Sequence, residues 1–128
     1  MNKQLINKIK NWKEFEQKLR FRAGKEQKKS KEIGVFNYLV YLIDAVNNFR
    51  IKELIKNFGY PTSKLIGKVG MQDFWLLIQH QDEDIELQKR CLKHCNFDKN
   101  EMEHLTDRIL IKENKKQKFN TQFKGKKK

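Results

Sequence analysis

Three places in this 128-residue chain hold side chains whose types and spacing could do chemistry. His80, with Gln79, closes an otherwise apolar stretch and lies two residues from Asp82. A histidine held by a carboxylate is the base–orienter pair of general acid–base chemistry, and Asp82 or Asp107 can serve as the orienter. Asp107-Arg108 interrupts an apolar stripe, and the planar guanidinium of Arg108 can grip a carboxylate or phosphate through two parallel bonds. His80, Asp107 and Arg108 are therefore the catalytic candidates. Cys91, His94 and Cys95 fall at i, i+3 and i+4, where His80 or His104 could complete a zinc tetrahedron. Structural zinc usually joins ligands from a turn to ligands on a helix, so ordinary helix packing with reduced thiols is the preferred reading. No metal or other cofactor is expected. No nucleophile elbow, phosphate loop or metalloprotease motif is present.

The elements that must position these groups read as helices. Leu5, Ile9, Trp12, Phe15, Leu19 and Ala23 recur at three- and four-residue steps, a single helical stripe that Gly24 should end. Lys25–Glu32 reads as a linker or frayed turn. Residues 33–58 are apolar nearly all round and predict a long central helix, with Tyr38–Ile43 as its most buried run. Gly59-Tyr60-Pro61 stops it, because glycine suits the position after a helix and proline cannot continue one. Thr62 or Ser63 can cap a short turn before a compact apolar helix over Met71–Gln81 centred on a buried Trp75. Asp82 can cap the next helix, with Ile85, Leu87 and Leu92 inside. Asp98 and Glu101 form a capping box before a last helix carrying Met102, Leu105, Ile109 and Ile111. One proline and six glycines argue against a turn-rich β fold. The prediction is an all-α single compact domain of about five helices: a basic N-terminal helix over 1–31, a helical core over 32–123 and a Lys-rich tail over 124–128.

The 29 Lys and Arg outnumber the 16 Asp and Glu, and the formal net charge is +13. The excess sits at the ends. Residues 1–31 carry 11 basic and 3 acidic side chains, residues 32–111 carry 10 and 12, and residues 112–128 carry 8 and 1. Two basic ends around a near-neutral middle favour an anionic partner, and a phosphate backbone fits because lysine contacts release its condensed counterions. The expected contacts are Lys8, Lys10, Lys13, Lys18, Arg20 and Arg22 at one end. At the other they are Lys112, Lys115, Lys116, Lys118, Lys124, Lys126, Lys127 and Lys128. Plain solubility is the competing explanation. Arginines and aromatic platforms are few in the tail, so base-specific readout is not indicated. No secretory leader and no stretch of apolar residues long enough to span a membrane is seen, and two cysteines are too few for a disulfide framework. A cytoplasmic protein that does not enter membranes is expected.

The second half resembles an uncharacterised bacterial family of unknown function. The resemblance is carried by Gly59-Tyr60-Pro61, Ile66-Gly67, Gln79-His80-Gln81-Asp82, Gln88, Asp107-Arg108, Gln117 and Phe119-Asn120-Thr121-Gln122. These follow the family's order, G-[WY]-P, Q-H-x-D, Q, D-R, Q-x-[YF]-G-T-Q, over residues 40–123. Asn120 departs from the family's usual glycine, and asparagine is the residue that best tolerates a left-handed backbone there. The resemblance implies a mostly helical domain and marks Gln79, His80, Asp82, Gln88, Asp107, Arg108, Gln117, Thr121 and Gln122 as one polar cluster. It implies no reaction. Buried polar groups need partners, so these should converge, either around a cavity or as a structural clasp that pins the C-terminal segment. Asp44, Asn48 and Arg50 of the long helix are placed to join them. Two functions follow. One is a basic helical binding protein for RNA, DNA or a ribonucleoprotein, such as an accessory factor or a mobile-element inhibitor of a nucleic-acid-guided defence system. The other is an enzyme or small-ligand domain built on the polar cluster.

Overall fold

The computed structural model describes residues 1–29, 32 and 34–122. Five helices follow one another: α1 (Lys3–Lys29), α2 (Val35–Phe58), α3 (Ser63–Gln79), α4 (Ile85–His94) and α5 (Lys99–Lys112). The fold is all-α, with no strand among the described residues. No described helix is long and apolar enough to cross a membrane.

The caps explain most of the boundaries. Thr62 Oγ1 accepts the Leu65 N–H at 3.3 Å to open α3. At α5 the Asp98 carboxylate takes the Glu101 N–H at 2.7 Å, and the Glu101 carboxylate returns the favour at 3.1 Å, the reciprocal capping box. Gly59 ends α2 at φ 80°, a backbone that only glycine adopts without strain, and Pro61 follows. The cap of α4 is Asp84, not Asp82: Asp84 Oδ1 accepts the Leu87 N–H at 3.1 Å, while Asp82 is committed to Arg108. Helix α1 runs through Gly24 to Lys29 rather than stopping. A mid-helix glycine costs only about 1 kcal/mol, and the extra turn is held by Glu26. Its carboxylate accepts the Phe36 N–H at 2.9 Å and so caps α2, whose own N-cap, Gly34, has no side chain.

The core gathers around α3, not α2. Ile66, Met71, Phe74, Leu77 and Ile78 of α3 meet Leu5 and Ile9 of α1, Ile51 and Leu54 of α2, Leu87 and Cys91 of α4, and Leu105 and Ile109 of α5. Gly67 kinks α3 at φ 75°, and Gly70 lies tight against Ile66. Two expectations fail here. Phe74, fully buried, occupies the centre that Trp75 was expected to fill. Trp75 is half-buried because its indole N–H reaches the Glu101 carbonyl at 2.9 Å, which keeps the ring at the edge. Helix α2 buries only Ile43, Asn47, Ile51 and Leu54, and leaves Tyr38, Tyr41 and Leu42 of its supposed buried run open to solvent. Phe15, Met102 and Ile111 are likewise exposed rather than inside.

Candidate functional site

A cleft of about 590 Å³ opens between α1, α2 and the loop that joins α3 to α4. One wall is α2, through Tyr38, Tyr41, Asp44 and Asn48. The other is Arg20 of α1 and the run His80 to Asp84, with Lys112 at the far end. His80 is placed there by the end of α3: its backbone N–H caps the last carbonyls of the helix and its ring turns towards α1. There it finds a partner that spacing along the chain did not suggest. His80 Nδ1 lies 2.6 Å from Glu16 Oε1, and the Glu16 side chain is 1% exposed. Neither Asp82 nor Asp107 orients this histidine.

Glu16 is held from three sides. Gln17 Nε2 donates to its Oε2 at 2.6 Å, and Arg20 approaches Oε1 at 3.5 Å. Arg20 in turn makes two parallel bonds to Asp44, at 3.1 and 2.9 Å. Burial opposes the Arg20 charge, but the Asp44 bonds and the Glu16 and Asp82 carboxylates raise its affinity for the proton above the ordinary arginine value. The chain continues across the cleft floor. Gln81 Nε2 donates to the Asp44 carbonyl at 3.0 Å, and Asn48 Nδ2 donates to Gln81 Oε1 at 3.0 Å and to Asp84 Oδ2 at 2.9 Å. Lys52 closes on Asp84 at 2.9 Å. Asp84 is partly desolvated, which raises its carboxyl, yet Asn48, Lys52 and the Leu87 N–H hold it below the ordinary value. Asp44 and Asn48 therefore join the network as expected. Arg50 does not: it bonds Asn47 Oδ1 at 3.0 Å and covers the Trp12 ring.

The nine positions marked by the resemblance divide into two groups. Asp82, Gln88 and Arg108 form one knot beside His80. Arg108 Nε and Nη2 meet the two Asp82 oxygens at 2.9 and 2.8 Å, and Gln88 Nε2 bonds Asp82 and the carbonyls of Ile78 and Gln79. Desolvation raises the Asp82 carboxyl, and the paired Arg108, with Gln88 and the Lys112 charge, together more than offset it, so the group sits below its ordinary value. Gln79 is buried, and among the described residues its Oε1 and that of Gln88 have no hydrogen-bond partner. Asp107, adjacent to Arg108, faces the other way. Its fully buried carboxylate collects the N–H groups of Lys118, Phe119 and Thr121 at 2.8, 2.9 and 2.9 Å and the Thr121 hydroxyl at 2.7 Å. Burial raises this carboxyl, and the four donors pull it below its ordinary value. Gln117 Oε1 accepts the Gln122 N–H at 3.0 Å, and Gln122 Nε2 donates to the His104 carbonyl at 3.0 Å. Asn120 has φ 57°, the left-handed backbone that its place in the motif implied. Asp107, Gln117, Thr121 and Gln122 thus make a clasp for the C-terminal segment, and the Arg108–Asp82 pair links that clasp to the His80 loop.

The remaining candidates fall elsewhere. Cys91 and Cys95 are buried thiols, and the bond between them together with burial pushes the Cys91 thiol up. His94 is exposed and stacks on Tyr60 with ring centres 4.7 Å apart, so it does not share their environment. No group of three or more His, Cys, Asp or Glu able to hold a metal occurs among the described residues. Of the basic residues, Arg20 is consumed inside the cleft, Lys13 pairs with Asp73 at 3.4 Å, Lys115 pairs with Glu113 at 3.4 Å, Arg22 covers Phe36 and Lys118 covers Phe119. Lys8, Lys10, Lys18, Lys112 and Lys116 are exposed. Lys124, Lys126, Lys127 and Lys128 lie outside the described residues.

Glu16 is the site residue at the centre of the network that sequence reasoning missed, and Asp84 and Lys52 of the cleft floor were missed with it. Glu16 stands seven positions after Ile9 and seven before Ala23, in the buried register of α1, and a carboxylate in an apolar stripe was the signal. No curated protein and no solved structure matches the chain significantly. Residues 17–126, which include every motif of the resemblance and all of the cleft and clasp residues except Glu16, match the family of unknown function DUF6624, and the chain belongs to that family.

Proposed function

We propose that this domain binds a small polar ligand in the α1–α2 cleft and presents His80 to it as a hydrogen-bond and proton acceptor. The observation that carries the reading is the 2.6 Å contact between His80 Nδ1 and a carboxylate that is 1% exposed. A carboxylate can only accept, so the neutral imidazole carries its proton on Nδ1 and leaves Nε2 with its lone pair. No hydrogen-bond partner of Nε2 occurs among the described residues, and the ring lines the cleft. Convergent polar groups with an oriented histidine beside two exposed tyrosines are what a ligand pocket requires. The test is a ligand-observed NMR screen of nucleosides, amino acids, amines and sugar acids against the wild type and His80→Gln. Compounds that bind the wild type and are lost in a folded His80→Gln support the reading. No binder at millimolar ligand, or binders indifferent to His80→Gln, refutes it.

A second reading, contact with nucleic acid or a ribonucleoprotein through the basic ends, is supported by Lys8, Lys10 and Lys18. These are exposed on α1 and make no ion pair among the described residues. Replacing all three by Gln should lower the salt slope of binding by up to about 0.9 per lost duplex contact. An unchanged slope assigns these lysines to solubility.

A further inference from the structure

Helix α2 is apolar on two sides. One side, Ile43, Asn47, Ile51 and Leu54, is buried in the core. The other side consists of Val35, Tyr38, Leu42, Ala45 and Phe49, at alternating steps of three and four, and it is open. Val35, Tyr38, Leu42 and Phe49 are 65%, 59%, 62% and 66% exposed, and Tyr41 and Val46 beside them are 69% and 44% exposed. Alternating three and four is the spacing of a helix-pairing seam, and a helix that is apolar all round is normally covered all round. At about 150–250 Å² for a whole aromatic side chain, these six residues expose roughly 700 Å². That is close to the roughly 800 Å² that each partner contributes to a standard interface.

We propose that the occupant of this face is a second copy of the chain, its α2 running antiparallel to the first about a two-fold axis at Leu42. The argument is self-complementarity. In an isologous contact each residue meets the one equally far on the other side of the axis. Val35 and Phe49 lie seven residues either side of Leu42, and Tyr38 and Val46 lie four either side. A smaller side chain therefore meets a larger one at both levels, and Leu42 meets itself. Tyr38, Tyr41 and Ala45 also line the cleft, so the second copy forms a lip over it. The proposal does not depend on what His80 does.

The test is sedimentation equilibrium of the nuclease-treated full chain between about 1 and about 100 µM, in low and high salt. A species of twice the 15.5 kDa chain mass is expected. It should strengthen with salt, because each copy carries a formal +13 and the repulsion is screened; bridging by residual nucleic acid would weaken instead. Leu42→Glu, which sets two carboxylates against each other on the axis, should give a monomer with an unchanged helical signal. Leu42→Cys should form an intermolecular disulfide on mild oxidation, and Val69→Cys, at an exposed position of α3, should not. A monomeric wild type at 100 µM in both salts overturns the proposal. So does a Leu42→Glu chain that associates as the wild type does, or equal cross-linking at 42 and 69.

Discussion

Replacing Asp107 by Asn tests whether the C-terminal segment is held by one buried carboxylate. Four donors converge on Asp107, three from the backbone of residues 118–121 and one from Thr121. Asn keeps the shape but removes the charge and turns one oxygen into a donor facing donors. Each hydrogen bond to a charged group contributes about 1.5–3 kcal/mol, and four would sum to more than a small domain can lose. The loss is capped, however. Among the described residues, the segment from Glu113 onward buries no large apolar side chain; Phe119 is 38% exposed. Once the clasp weakens, the segment can lift off and let water reach position 107. The cost should then be that of local opening, about 2–3 kcal/mol, the range expected when one group of a buried polar network is lost. Amide hydrogen exchange reads it directly. Phe119 and Thr121 should exchange about 30- to 150-fold faster, at about 1.4 kcal/mol per decade, while Leu77 and Leu105 in the core change by less than about threefold. Equal acceleration of clasp and core amides would show that the segment is part of the global fold. Acceleration below about threefold at Phe119 would show that the carboxylate is not what holds it.

Three further outcomes follow from the same structure. Phe74→Ala should cost about 3–5 kcal/mol by urea unfolding, and Trp75→Ala distinctly less, since Phe74 is fully buried and Trp75 only half; a Trp75 cost equal to that of Phe74 would relocate the core. Nitrogen-15 spectra of the neutral imidazole should place the His80 proton on Nδ1, and a proton on Nε2 would break the Glu16 argument. Asp107 and Asp82 both titrate below the ordinary carboxylate value of 3.8, so their stabilisation is complete above that value and is lost as pH falls through their folded values. Clasp amides should therefore lose protection below about pH 4, and protection that weakens instead on raising pH from 5 to 8 would contradict the sign.

Local signals carried the fold because they are short-range. Asp98 and Glu101 announce their capping box within four residues, and Gly59-Tyr60-Pro61 stops α2 within three. The errors arise where distant contacts decide. Gly24 would end an isolated helix, but Glu26 caps α2 ten residues on, and that contact extends α1. Asp82 and Asp84 are both plausible caps by position; Arg108, twenty-six residues away, takes the first and leaves the second. Trp75 and Phe74 are neighbours of similar hydrophobicity, and only the Glu101 carbonyl, across in α5, decides which ring goes inside.

The site was legible to the extent that its residues are unusual for their surroundings. His80 at the end of an apolar helix and Asp107-Arg108 inside an apolar stripe stood out, and the structure gives each a hydrogen-bonding partner, buried in the case of Glu16 beside His80. Their partners were misassigned because adjacency in sequence is a poor guide on a helix: Asp107 and Arg108 are about 100° apart and serve different knots. Glu16 shows the opposite failure. It lies sixty-four residues from His80, and Lys13, Lys18 and Arg20 around it suggest a solvated basic face. The register says otherwise. Leu5, Ile9, Glu16 and Ala23 fall on one buried line, and a carboxylate on such a line must find a donor or stay protonated. The buried line of α1 runs through Glu16 and not Phe15, and the donor it requires stands where α3 closes, at His80.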